Sequence, residues 1–220
     1  MEKTKTEQAN ETKEKKKLFD FRQFFSTRNI TKAAMLTAAA FGLLYLRFAL
    51  PFFPPFLELH FSDLPTLIGG LALGPAWGMI ILTLKILLKL LVQGTSTMFV
   101  GDLADFLIGA ALILPPSILY RIKKTGISAL IGIICGVVLS VAVAILANVF
   151  LLVPLYIELF FGGNPAPLVN MCKVTAPNIT EETLYVKYAF YICAPFNLMR
   201  VIPIGILSFL AYKPLERFFH

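Results

Sequence analysis

Long apolar stretches alternate with short polar or proline-containing segments over most of the chain after residue 30. An α-helix rises 1.5 Å per residue, so about 20 apolar residues cross the hydrocarbon core of a bilayer. The pattern predicts helices at residues 31–50, 64–73, 76–92, 102–120, 127–157 and 185–212. Residues 64–92 are too many for one membrane-spanning helix and too few for two of full length. We therefore expect a hairpin there that turns at Gly74 and Pro75.

The composition supports a membrane protein. Of the 220 residues, 57% are hydrophobic and 15% are charged, whereas a soluble domain carries about 25% charged residues. We therefore expect an all-α integral membrane protein, a bundle of six transmembrane helices. The length leaves no room for a second globular domain, so ATP-driven work would have to come from other chains.

The distribution of charge predicts the topology. The net charge is +7, and the N-terminal tail is rich in lysine. With six helices both termini lie on one side, together with five basic residues between or after the spans: Arg121, Lys123, Lys124, Lys213 and Arg217. The opposite side is mainly acidic. Because cytoplasmic loops carry an excess of Lys and Arg, both termini are expected in the cytoplasm.

This topology divides the chain into three parts. Residues 1–30 form a cytoplasmic basic tail with an interfacial segment, residues 31–213 form the six-helix membrane domain, and residues 214–220 form a second cytoplasmic tail. A basic tail can bind nucleic acid, but beside apolar spans it marks the cytoplasmic side. No nucleic-acid partner is therefore expected.

The sequence offers no recognisable machinery for chemistry. Cys135, Cys172 and Cys193 lack CxxC spacing, so we expect packing residues and not a disulfide framework or a zinc site. His60 and His220 have no neighbouring metal ligands. There is no Ser-His-Asp order, P-loop or HExxH motif. We expect neither an enzyme nor a bound metal or cofactor.

A row of small residues marks one face of the first helix. Ala34, Ala38 and Gly42 follow one another at intervals of four residues. Such a row lets another helix approach closely. It is explained equally well by packing inside this bundle and by a docking face for a partner membrane protein.

Polar side chains within the last two spans suggest a ligand site. A second row of small residues on the fifth helix points Asn148, one turn further on, toward the bundle interior; the row is Gly132, Gly136, Ser140 and Ala144. Asn197 and Arg200 share a face of the last helix. A carboxamide donates and accepts hydrogen bonds together, so it suits an imide or lactam edge. The alternative is a polar clamp between helices.

Three further charged residues lie in or beside the predicted helices. Lys85 on the third helix needs a partner because an unpaired charge in a membrane is costly. Asp105, near the start of the fourth helix, either pairs with Lys85 or binds a ligand hydroxyl. Asp63, with Ser62 beside it, is expected to cap the second helix.

Several segments in order resemble a known family: LELHFSDLPTLIGGLALGPAWG, LKILLKLL, GDLADFLIGA, LANVFLLVPLY and APFNLMR. Together they resemble the substrate-binding S component of energy-coupling factor (ECF) vitamin transporters, specifically its riboflavin branch. The resemblance covers about residues 31–212. It implies six helices with cytoplasmic termini, in a bacterial cell membrane.

The resemblance also implies partners and roles. The S component would bind riboflavin and dock on a transmembrane coupling subunit driven by two ABC-type ATPases. Ala34, Ala38 and Gly42 map to the docking face. Flavin contacts map to Asn148, Asn197 and Arg200, although family members often carry Lys in place of Arg200 and Asn in place of Asp105.

Loop 51–62 maps to the lid over the pocket, and its aromatic residues are expected to fold over the flavin. The candidate substrate site is completed by Asp105, Lys85, Phe56 and Leu57. Whether FMN is also carried stays open. Alternatives are an S component for folate or pantothenate and a non-catalytic membrane assembly protein.

Overall fold

The computed structural model describes residues 25–54, 56–95 and 98–219. The predicted basic tail therefore falls mostly outside the described residues. The described residues form mainly helices and one two-stranded sheet. In chain order they are α1 Thr27–Tyr45, β1 Phe48–Ala49, β2 Glu58–Leu59, α2 Asp63–Leu73, α3 Pro75–Gln93, α4 Val100–Ile122, α5 Gly126–Ala147, α6 Val153–Phe161, α7 Ala166–Cys172, α8 Leu184–Lys187 and α9 Ala194–Phe219.

Two π-helical segments join these helices into longer rods. Segment π1, Asn148–Leu152, connects α5 to α6, and segment π2, Tyr188–Cys193, connects α8 to α9. Each is followed within two residues by a proline, Pro154 or Pro195, which lacks the N–H that an α-helical ladder needs. π-Bulges occur frequently at functional sites, and both of these lie beside the cavity described below.

Within the described residues, four helical runs are long and apolar enough to cross a membrane: Pro75–Gln93, Val100–Ile122, Gly126–Phe161 and Leu184–Pro214. Helix α2 is a shorter apolar helix. The predicted hairpin is confirmed, since α2 and α3 pack together and turn at Gly74, whose φ of 105° favours glycine. The predictions at residues 76–92 and 102–120 agree with α3 and α4 to within about two residues.

The first helix differs from its prediction at both ends. It begins at Thr27, where the Ser26 side chain accepts a hydrogen bond from the Asn29 N–H, and it ends at Tyr45 and not at residue 50. The chain instead extends as β1, which pairs antiparallel with β2. The backbone hydrogen bonds of this hairpin replace those of the expected last helical turn.

Two other boundaries also differ. The segment between the fifth and sixth predicted helices contains α7, and the last helix runs on to Phe219 through Pro203 and Pro214. Proline within a helix weakens one turn of the hydrogen-bond ladder but does not always end the helix.

The predicted packing of the second small row is confirmed. A Cβ added at Gly132 would lie 2.4 Å from Pro116 Cα, and one at Gly136 would lie 2.5 Å from the Leu112 carbonyl oxygen. Helices α4 and α5 therefore touch backbone to backbone. This contact turns the same face of α5, and with it Asn148, into the protein, where Asn148 is 6% exposed.

Candidate functional site

One cavity of about 170 Å³ opens between the β1–β2 hairpin and the helices. Its wall combines aromatic and apolar side chains with a few polar groups, which is typical of a small-molecule site. Of the predicted site residues, six line it: Asn148, Asn197, Arg200, Asp105, Phe56 and Leu57. The same wall contains three aromatic residues that no sequence pattern singled out, namely Tyr156, Tyr188 and Phe196.

Asn148 stands at the start of π1, with its side chain fixed from two directions. Its Nδ2 donates to the Ala144 carbonyl at 2.8 Å, and its Oδ1 accepts from the Tyr188 hydroxyl at 3.1 Å. The contact with Tyr188 joins the two π-helical segments. One N–H of the Asn148 amide remains for a ligand acceptor in the cavity.

Asn197 is held in the same way on α9. Its Nδ2 donates to the Cys193 carbonyl at 2.9 Å. Within the described part of the chain, no hydrogen bond to the Asn197 amide oxygen is found. This oxygen and the second N–H form an acceptor and a donor side by side in the buried wall of the cavity.

Four charged side chains form a buried network beside these amides. Asp63 accepts from Lys85 Nζ at 2.7 Å and from an Arg200 terminal nitrogen at 2.5 Å. The same Arg200 nitrogen contacts Asp105 at 2.7 Å, and Lys85 Nζ lies 3.6 Å from Asp105. Two carboxylates therefore balance two cations, so the network carries no net charge.

This network corrects two of the predictions. Asp63 does not serve mainly as a helix cap: its carboxylate is fully buried and binds Lys85 and Arg200, and the Ser62 side chain makes no cap hydrogen bond. Lys85 is 0% exposed and does not line the cavity. Its Nζ donates hydrogen bonds to Asp63 and, at 3.1 Å, to Ser62 Oγ. Lys85 therefore lies behind the cavity wall and not in it.

Asp105 meets the first of its two predicted roles, because it pairs with both cations of the network. It also reaches the cavity wall. Arg200 lines the cavity too, and its buried Nε has no hydrogen-bond partner among the described residues. These two side chains connect the buried charges to the cavity.

The hairpin covers the cavity with some of the expected aromatic residues. Phe53 is 9% exposed and packs edge-on against Phe196 with ring centroids 5.4 Å apart. The Phe56 ring lies 5.2 Å from that of Tyr156. Phe52, also expected to cover the pocket, is 59% exposed and does not line it. Its carbonyl accepts a hydrogen bond from Thr175, which ties the hairpin to the segment after α7.

Two ion pairs lie at the rim of the cavity. Arg47 contacts Glu58 at 2.9 Å across the hairpin. Lys89 contacts Asp102 at 2.6 Å. Arg47, Glu58 and Lys89 line the cavity. Each cation in its wall is therefore balanced by a neighbouring carboxylate.

The first small row lies on the surface and not inside the bundle. Ala34, Ala38 and Gly42 are exposed, and a Cβ added at Gly42 would meet nothing within 4 Å. Packing within the bundle therefore does not explain this face.

The cysteines are free thiols. Cys172 and Cys193 are buried as predicted, whereas Cys135 is exposed on α5, so its prediction as a packing residue was wrong. Burial raises the pKa of the Cys172 thiol to about 12, which makes it a poor nucleophile. Within the described ranges no group of three His, Cys, Asp or Glu residues could hold a metal ion.

The chain matches, across residues 28–212, the family described as "ECF transporter, substrate-specific component". The riboflavin transporter RibU of Staphylococcus aureus (strain TCH60) is 33% identical over 191 residues, which cover 87% of this chain and 92% of that protein. The riboflavin transporter FmnP of Bacillus subtilis (strain 168) is 27% identical over 191 residues, covering 85% and 93%.

A solved structure described as "Structure and mechanism of the S component of a bacterial ECF transporter" has the same fold. The two chains superpose with a TM-score of 0.64 at 29% identity. The match covers 86% of this chain and 96% of that one.

Proposed function

The chain belongs to the substrate-specific components of ECF transporters, and on that premise we propose that it binds riboflavin for uptake across the bacterial cell membrane. It is a multi-pass membrane protein and a transporter component. The observation that carries the proposal is the cavity itself, where two asparagines and a ring of aromatic side chains share one wall. The relatives named as riboflavin transporters support the same ligand.

The chemistry of the wall fits the parts of riboflavin. The flavin ring has an apolar dimethylbenzene end, which suits Phe56 and Tyr156. Its other end is a uracil-like edge of alternating donors and acceptors, which suits the amides of Asn148 and Asn197. Tyr188 lies between the two ends, because its ring reaches the cavity and its hydroxyl contacts Asn148. Asp105 and Arg200 then meet the hydroxyls of the ribityl chain or the ring carbonyls.

The ion pairs in the cavity wall favour riboflavin over folate and pantothenate as the ligand. Folate and pantothenate are carboxylates at neutral pH, whereas riboflavin is neutral. The three Lys and Arg side chains in the wall each contact a carboxylate, and for Arg200 there are two: Asp63 and Asp105. An anionic ligand would have to break one of these pairs, so a neutral ligand is favoured.

The proposal includes a topology of six transmembrane helices. The four long apolar runs would be joined by α1 and the short helix α2, with both termini in the cytoplasm. Residues 1–30 form the basic tail, residues 31–213 the membrane domain and residues 214–220 the C-terminal tail. The basic residues after α4 and at the end of α9 support this orientation.

The partners follow from the family. We propose that the exposed face of Ala34, Ala38 and Gly42 docks on the coupling subunit, which two ABC-type ATPases drive. Small residues on a membrane-exposed helix face let a partner helix approach closely, which supports this assignment. FMN carries a phosphate and would also have to break one of the ion pairs in the wall, so we expect it to bind more weakly than riboflavin.

The ligand assignment is tested by titration of the purified protein. Replacing Asn148 or Asn197 with Ala removes a buried polar contact worth about 1–3 kcal/mol, so riboflavin should bind roughly tenfold to a hundredfold more weakly. Asn170→Ala is the matched control, because Asn170 is exposed on α7 and contacts Lys173. Flavin fluorescence quenching measures the dissociation constants.

The competing vitamins are tested in the same assay. Folate and pantothenate should fail to displace riboflavin at a hundredfold excess. If both Asn variants fold normally and bind like the parent, the site is misplaced. Displacement by folate or pantothenate would instead identify another vitamin as the substrate.

A further inference from the structure

A second concave surface lies on the outside of the bundle, between α5 and α9. It is an apolar groove of about 270 Å³. Its two banks are exposed side chains spaced four residues apart, namely Leu130, Ile134 and Val138 on α5 and Ile202, Ile206 and Leu210 on α9. Gly205 lies in the floor of the groove, where an added Cβ would come within 2.8 Å of Ile133. The groove is deeper here because glycine has no side chain.

One end of this groove is basic. Tyr212 of α9 lies against the start of α5, since its hydroxyl is 3.5 Å from the position of a Cβ on Gly126. Lys124 precedes that glycine by two residues and Lys213 follows Tyr212, so both lysines lie at the same end as Leu130 and Leu210. Both are exposed, and no ion pair within the described residues involves either of them.

The start of α5 adds positive potential at this end. The backbone N–H groups of a helix N-terminus carry partial positive charge. Thr125 accepts from the Ser128 N–H, and the hydroxyls of these two residues lie 2.8 Å apart beside Lys124. Exposed hydroxyls and lysines at the end of an apolar groove match a phosphate group attached to an alkyl chain.

From this arrangement we propose that the groove binds one anionic phospholipid, with an acyl chain along α5 and α9 and its phosphate at Lys124 and Lys213. The span from Leu130 to Val138 is about 12 Å at 1.5 Å per residue, close to the roughly 15 Å of one leaflet of the hydrocarbon core. A partner helix would be much longer than this groove. Placement in the inner leaflet, whose lipids are anionic, rests on the proposed topology.

Native mass spectrometry of the delipidated full chain tests the proposal, with phosphatidylglycerol and phosphatidylcholine of equal chain length as probes. We expect the parent to prefer phosphatidylglycerol. Lys213→Gln should weaken that lipid about fivefold, and adding Lys124→Gln should weaken it by a similar factor again, as expected for a lysine near an anionic headgroup. Lys173→Gln is the matched control, since Lys173 is exposed at the opposite end of the protein in the proposed topology.

Variants of the apolar wall test the acyl chain separately. Ile206→Trp should fill the groove and reduce retention of both lipids, whereas Leu207→Trp, at the adjacent exposed position outside the groove, should not. Equal binding of the two lipids by the parent, or unchanged binding by Ile206→Trp, overturns the proposal. So does a second protein chain retained on the groove in place of lipid.

Riboflavin titration of the same samples keeps this proposal distinct from the proposed function. The groove variants should bind riboflavin like the parent, because none of the changed residues lines the riboflavin cavity. Lipid preference without riboflavin binding by the parent would reject the proposed function and leave the lipid site standing. The reverse result would reject the lipid site alone.

Discussion

Replacing Asp63 with Asn removes one of the two carboxylates that hold Lys85 and Arg200 inside the bundle. Asp63 is fully buried and contacts both cations, at 2.7 Å and 2.5 Å. After the change, Asp105 alone faces two positive charges, and the network changes from neutral to a net charge of +1. Breaking one partner of a buried ion pair costs about 3–5 kcal/mol, because the remaining charge stays desolvated.

That cost is a large part of the stability expected for a chain of this size. Folded proteins typically have a free energy of unfolding of about 5–15 kcal/mol. A loss of 3–5 kcal/mol should lower the melting temperature by about 6–20 °C. Fluorescence of Trp77, the single tryptophan, reports unfolding in detergent because its ring is buried.

Two controls isolate the effect of the buried charge. Glu58→Gln breaks the half-exposed pair with Arg47, so it should cost at most about 1 kcal/mol. The double variant Asp63→Asn/Lys85→Met removes one charge of each sign and should recover much of the lost stability. If Asp63→Asn melts like the parent, or if the double variant is less stable than the single one, the network does not stabilise the fold as argued.

The docking face, the lid and the topology each give a further prediction. Ala38→Trp should abolish riboflavin uptake in cells but leave riboflavin binding to the isolated protein intact; loss of binding instead would place this face at the ligand site. Phe56→Ser should speed riboflavin dissociation about twofold to tenfold by removing its contact with Tyr156, whereas Phe52→Ser should not, and equal rates for the two would contradict the lid. An impermeant thiol reagent should label Glu58→Cys in intact cells, and less so with riboflavin present; labelling only in opened cells would invert the topology.

The spans could be predicted from the sequence because each long apolar stretch has only one stable form in a bilayer. A helix satisfies all its backbone hydrogen bonds within the segment, so residues 76–92 and 102–120 predicted α3 and α4 closely. The end of α1 could not be predicted in this way. Phe48 and Ala49 continue the apolar stretch, and their strand depends on partners eleven and nine residues further along the chain, Leu59 and Glu58. Short apolar segments do not distinguish helix from strand.

The amides of the cavity could be predicted for a related reason. A polar side chain inside an apolar span must face the protein interior, so the small row on α5 was enough to direct Asn148 inward. Tyr188 gave no such signal. Tyrosine occurs both at membrane interfaces and in protein cores, so its presence in an apolar span does not show which way it faces. The contact of Tyr188 with Asn148 also joins residues forty positions apart.

The role of Asp63 in the charge network could not be predicted from its local sequence. A carboxylate at the start of a helix already has a sufficient local explanation, because it interacts well with the helix dipole. The need for the Asp63 carboxylate becomes clear only when the charges of several helices are counted together. Lys85 and Arg200 are two buried cations, and Asp105 can neutralise one of them, so burial of both requires a second carboxylate. Asp63 supplies it from the N-terminus of α2 and makes the network neutral, and this neutrality in turn leaves the cavity suited to an uncharged ligand.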